Sequence, residues 1–175
     1  MNVQKIVNSD SLNNKIYSTS KDNRYRYSLG TKGKKTLYCF GVNPSTATAE
    51  KYDQTVKRVE KTAYRAGFDS FTMLNIYPLR ATKPNTLPKS LDLSEHKKNI
   101  SKILDLIKDG STIWAAWGNS IDLRFWLKDC RNEILQKINK SKRNINWVKM
   151  GDLTIKKNPR HPLYLKYQDF SNLYI

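Results

Sequence analysis

At 175 residues the chain is long enough to bury one core and short for two domains, and its 38% hydrophobic content argues against wholesale disorder. Lys and Arg number 32 against 15 acidic residues, a net charge of +17 that points to polyanionic partners. No apolar run approaches the roughly 18 residues of a membrane span, the start from Met1 to Asp10 has no signal-peptide core, and Cys39 and Cys130 offer neither a disulfide framework nor metal-ligand spacing.

The expectation is therefore one soluble, cytoplasmic domain over residues 1–175, with residues 1–35 as an N-terminal extension carrying a hairpin and no cofactor or metal. Alternation from Arg24 to Gly30, a Gly30-to-Gly33 turn and the apolar run Lys35 to Val42 predict that hairpin, its second strand central in a sheet. Asp53 then caps a helix with Val56, Val59, Ala63 and Ala66 at helical spacing and Gly67 as its stop.

A second strand follows from Ser70 to Tyr77, and a proline-containing loop from Pro78 leads to a helix from about Ser94 whose one face holds Ile100, Ile103, Leu104 and Ile107. A third strand runs from Ser111 to Gly118. Helical periodicity then covers Ser120 to Lys140, before a short strand from Ile145 to Met150 and an irregular tail from Gly151. Strands alternating with helices predict an α/β fold, a three-layer α/β/α sandwich with a mostly parallel central sheet.

Ligands of such sheets bind beyond the carboxyl ends of the strands. Three polar clusters fall there: Asn43-Pro44-Ser45, Asn75 to Arg80, and Gly118-Asn119-Ser120; His161-Pro162 follows the fourth strand. Asn43, set before a proline, either holds a water or caps a turn. Asn75, inside an apolar run, either reads the edge of a heterocycle or is satisfied by neighbouring backbone. His161, framed by Pro159 and Pro162 beside Arg160, suits a charge stabiliser. Tyr77 is the aromatic placed to stack on a base, and Arg80 and Lys83 are natural phosphate contacts. Between Lys128 and Lys166 eleven basic residues face three acidic ones, which marks either a nucleic-acid-facing side or a uniform basic bias.

The stretches FGVNPS, LNIYPLRAT, WAAWGNS and RHPLYL, in this order after successive strands, resemble the motif set of the uracil-DNA glycosylase superfamily. The set from Gly41 to Leu165 is still more similar to an uncharacterised bacterial and phage domain family of that type. The resemblance implies a glycosylase-like α/β/α sandwich that flips a nucleotide into a pocket and hydrolyses its N-glycosidic bond without a metal. It implies that Asn43 positions the water, with Asp53 as a substitute carboxylate, and that His161 stabilises the departing base. It places Asn75, Tyr77 and Phe40 around the base, and Ser45, Arg80, Lys83, Asn119, Arg160 and Tyr164 along the DNA backbone.

Two departures bear on turnover. The most active branch has Asp where this chain has Asn43, and an amide cannot act as a general base. Leu163-Tyr164 also stands where the superfamily has a phosphate-binding Ser. The expected function is thus a glycosylase-like DNA-interacting protein with weak or no action on uracil, possible action on another modified base remaining open. The alternative is a catalytically silent relative that binds DNA or sequesters an acidic, DNA-mimicking uracil-glycosylase inhibitor protein. A nucleotide-processing enzyme fits less well, because no Gly-rich phosphate loop is present.

Overall fold

The computed structural model describes residues 14–174; the chain start, including most of the extension's first part, lies outside the described residues. Seven strands form one sheet: β1 (Lys15–Thr19), β2 (Arg26–Thr31), β3 (Thr36–Gly41), β4 (Ser70–Asn75), β5 (Thr112–Ala115), β6 (Asn146–Met150) and β7 (Phe170–Asn172). Three helices connect them: α1 (Gln54–Arg65), α2 (Leu93–Leu106) and α3 (Phe125–Lys140). The sheet order is β1-β2-β4-β3-β5-β6-β7.

The four central strands β4, β3, β5 and β6 are parallel, whereas β1 with β2, β2 with β4 and β6 with β7 are antiparallel. The sheet is therefore mixed, with a parallel centre and antiparallel margins. Alternate residues of β3 serve opposite faces, as the period of two requires. Leu37 and Cys39 pack with Val56, Val59 and Ala63 of α1, while Phe40 packs with Ile100 and Ile103 of α2 and with Leu127 and Cys130 of α3.

The predicted hairpin between β2 and β3 does not form, because β4 is inserted between them. The two glycines read as turn signals instead permit close approach. A Cβ at Gly30 would lie 2.0 Å from the Phe71 carbonyl oxygen, and one at Gly33 would lie 2.3 Å from Asp69 Oδ1. The Asp69 carboxylate accepts from the backbone N–H groups of Lys34 and Lys35, pinning the connection across the start of β4. The hairpin that does form pairs β2 with β1.

The helix starts follow the capping rules. Asp53 Oδ1 accepts from Val56 N at 2.9 Å, and Asp92 Oδ1 accepts from Glu95 N at 3.1 Å. From β3 the chain crosses to β4 on one side and then returns over β3 to β5 on the other. That reversal opens a crevice between the carboxyl ends of β3 and β5.

Candidate functional site

A cavity of about 670 Å³ occupies that crevice, within the range of small-molecule sites. Every chain segment predicted to reach it contributes: Asn43 and Ser45 after β3, Asn75 at the end of β4, Gly118 and Asn119 after β5, and Arg160, His161 and Tyr164 from the tail. Asp53 lines it from the start of α1, and Arg26 lines it from β2.

The β3 and β4 ends stay laced together beyond the strands. Ile76 N donates to Gly41 O and Tyr77 N to Val42 O, at 3.0 and 2.9 Å, and Ala81 N donates to Pro44 O at 2.8 Å. Asn43 completes this lacing, its Nδ2 donating to the carbonyls of Pro44 and Ala81 at 2.8 and 2.9 Å. The amide is thus a staple of the turn, and its oxygen is the group left for the cavity.

Asn75 is 1% exposed, and its Nδ2 has no acceptor among the described residues. The backbone around it is fixed by Asn99 of α2, whose Nδ2 donates to Asn75 O at 2.9 Å. Gly41 makes room for the side chain: an added Cβ would approach Asn75 Oδ1 to 3.2 Å. A wholly buried amide donor left open costs on the order of 1–3 kcal/mol, unless something from outside the chain accepts from it.

His161 is held by its loop rather than by its ring. Pro159 O accepts from Gly118 N at 2.9 Å, and Gly118 adopts φ +60, where a Cβ would sit 3.2 Å from His161 Cβ. The left-handed backbone and the close contact together favour glycine at 118. His161 Nδ1 accepts from Leu163 N at 3.4 Å. Burial pulls the imidazole below its ordinary value, with Asp53 opposing more weakly. The ring is therefore neutral near pH 7 with its proton on Nε2, a hydrogen-bond donor.

Several predicted residues stand elsewhere. Phe40 and Tyr77 are absent from the cavity wall and belong to the core on the α2–α3 side. Tyr77 packs edge-on against Trp126 at 4.8 Å, and burial pushes its hydroxyl up to about 12. Arg80 faces inward: Nη1 donates to the carbonyls of Ser45 and Ala47, and Nη2 to Tyr17 Oη and Asn23 Oδ1. Lys83 is exposed and off the cavity wall. Asn119 reaches the wall, but its Oδ1 already accepts from Thr154 Oγ1 and Asn158 Nδ2. Arg160 is exposed at the wall, with Nε donating to Asp152 O at 3.0 Å.

Among the wall residues given no role from sequence are Arg26 and Trp117. Arg26 reads as an exposed position of an alternating strand, yet it is 2% exposed, since all six residues of β2 are buried. Burial, and then Arg80, pull its guanidinium down to about 10, so it remains charged at neutral pH. Trp117 is buried with Nε1 unpartnered among the described residues. Leu163 is 44% exposed and Tyr164 81%, both at the cavity mouth. A hollow lined by Asn23, Thr46, Thr48, Arg80 and Thr86 adjoins the cavity and shares Ser45, Ala81 and Thr82 with it.

No group of three or more His, Cys, Asp or Glu side chains is placed to hold a metal among the described residues, and none of their helices is long and apolar enough to cross a membrane. In comparison with known proteins, a family model described as "Protein of unknown function (DUF1643)" matches residues 26–163. No curated protein and no solved structure matches the chain.

Proposed function

Since the chain belongs to the DUF1643 family, proteins of unknown function, we propose its role from the cavity itself: a nucleobase pocket in a uracil-DNA glycosylase-like protein that engages DNA. The observation that carries this reading is Asn75, a buried carboxamide on the cavity wall whose Nδ2 has no acceptor among the described residues. Such a group suits the carbonyl edge of a flipped base.

The surroundings support the same chemistry. His161, neutral with its proton on Nε2, can donate to a base oxygen as negative charge gathers there, while Asn43 can hold a water through its free oxygen. Asp53 is the wall's one carboxylate among the described residues, and one of its oxygens already caps α1. Neither Asn43, an amide, nor Asp53, half-committed to the helix, matches a dedicated general base. Uracil excision is accordingly slow or absent, and binding is the principal activity.

Outside the cavity, the +17 charge supplies attraction to phosphate, and the hydroxyls of the adjoining hollow suit backbone contacts. Leu163, exposed at the mouth, can fill the gap that an extruded base leaves in the stack. A gel assay on uracil-containing and modified-base oligonucleotides, run beside fluorescence anisotropy, tests the proposal. Submicromolar binding at low salt with little abasic product is expected; no binding to single- or double-stranded DNA would overturn it.

A second reading is favoured by one feature, the pairing of exposed Leu163 and Tyr164 with Arg160 beside the cavity mouth. An apolar knob inside a basic surface also fits an acidic protein that mimics DNA. Pull-down with an acidic uracil-glycosylase inhibitor at low salt separates this reading, which absence of a complex would sink.

A further inference from the structure

Among the described residues, the cavity wall carries a buried charge that is held in no ion pair. Arg26 is 2% exposed, and among the described residues it makes no ion pair with a carboxylate. Among the described residues its one side-chain hydrogen bond is from Nη1 to Ala47 O at 3.0 Å, and its Nε has no partner there. That carbonyl is already shared with Arg80, at 3.0 Å, so two cations converge on one neutral acceptor. A buried guanidinium without a paired carboxylate is costly, and Asp53 on the same wall offsets this one only from beyond ion-pair distance.

Other groups on the wall point the same way. Asn75 Nδ2 and Trp117 Nε1 are buried donors without acceptors among the described residues. Gln54 and Thr55 line the wall in the first turn of α1, where N–H groups have no acceptor within the helix and the dipole favours negative charge. Asp53 is the opposing carboxylate, and it already accepts from Val56 N. Three buried donors of wall residues, on Arg26, Asn75 and Trp117, are thus without acceptors among the described residues, and the cavity is larger than an unsubstituted pyrimidine ring requires.

We propose that the cavity takes a nucleobase bearing an anionic substituent, a carboxylate on the ring, with Arg26 as its counter-ion and Asn75 on the adjacent carbonyl edge. This rests on the nucleobase-pocket reading and adds to it the charge of the ligand and the residue that selects it. Arg26 is then a specificity-determining residue supplied by β2, a strand whose sequence pattern gives no sign of a ligand contact.

The test compares three free bases by calorimetry on the full chain at fixed salt: uracil, 5-carboxyuracil and its neutral isostere 5-carbamoyluracil. The acid is expected to bind about ten-fold or more tighter than the amide, a difference of about 1.4 kcal/mol. In Arg26→Gln, which keeps a donor for Ala47 O but removes the charge, that preference is expected to disappear. Arg26→Lys, which keeps the charge, is expected to retain part of it, and each variant's unfolding midpoint is measured alongside.

Equal affinity of the wild type for acid and amide overturns the inference without need of any variant, and uracil binding in that experiment leaves the base pocket standing. A preference for the acid that survives in folded Arg26→Gln also overturns it, by assigning the selection to the general basic surface. Binding of none of the three defeats both the inference and the pocket on which it rests.

Discussion

Arg26 and Arg80 donate to the same carbonyl oxygen, that of Ala47, each at 3.0 Å. One guanidinium comes from β2 and the other from the loop after β4, so the segment between β3 and α1 is clamped by side chains from a strand and a loop. The clamp engages both terminal nitrogens of Arg80, a predicted phosphate contact that also lines the hollow beside the cavity.

Arg80→Ala removes donors to Ser45 O, Ala47 O, Tyr17 Oη and Asn23 Oδ1 at once. The expected loss is about 2–4 kcal/mol of unfolding free energy, since hydrogen bonds to charged groups are worth more than neutral ones. Urea unfolding measures it. A loss under about 0.5 kcal/mol, the usual scale of a surface change, would mean that the clamp does not hold in solution.

Asn75 and Asn99 should behave oppositely. Asn75 Nδ2 is unpartnered among the described residues, so Asn75→Ala is expected to change stability by less than about 1 kcal/mol while abolishing base recognition. Asn99 Nδ2 donates to the carbonyls of Asn75 and Ile76, so Asn99→Ala is expected to cost about 1–3 kcal/mol. Thermal unfolding with parallel binding curves distinguishes them; an Asn75→Ala protein as damaged as Asn99→Ala would assign Asn75 to structure.

Gly118→Ala places a side chain at φ +60 and at 3.2 Å from His161 Cβ. About 1–2 kcal/mol of stability is expected to be lost through the left-handed backbone. Displacement of the His161 loop should weaken ligand binding beyond what stability explains. Unchanged affinity in the folded variant would separate His161 from the site.

Two histidines set an acid limit on stability. Burial lowers both His161 and His96 below the ordinary 6.5, against weaker opposition from Asp53 and Glu133 respectively. The unfolded chain therefore binds more protons than the folded one once pH falls through about 6.5, and stability declines from there until the lower folded values are passed. Above that range the two contribute no slope. Denaturant titrations between pH 8 and pH 5 are expected to show the decline, reduced in His161→Asn; a flat profile would contradict the burial of both rings.

The parallel centre of the sheet was legible because β3 and β5 are largely apolar runs and two of its helices begin after Asp53 and Asp92, residues with one clear local role. The location of the site was legible for the same reason: strand ends are fixed once strands are. The insertion of β4 between β2 and β3 was not, because Gly30 and Gly33 serve equally well as turn residues and as points of close approach. Strands β1 and β7 are short, polar margins with weak periodic signal. Within the site, residue type alone could not tell a side chain facing the cavity from one facing the core. Tyr77 and Phe40 went to the core, and Arg26, whose place depends on a neighbour strand the sequence does not reveal, came to the cavity.

The central claim, that the cavity receives a base drawn out of DNA, is tested most directly by base unstacking. A duplex carrying 2-aminopurine beside a mismatched or modified base is titrated with the protein at low salt, and the fluorescence is followed. A rise on binding, much reduced in Leu163→Ala and in Asn75→Ala at matched occupancy, is the expected result. Saturated DNA binding with no change in fluorescence would contradict the account, leaving a basic protein that coats DNA without opening it.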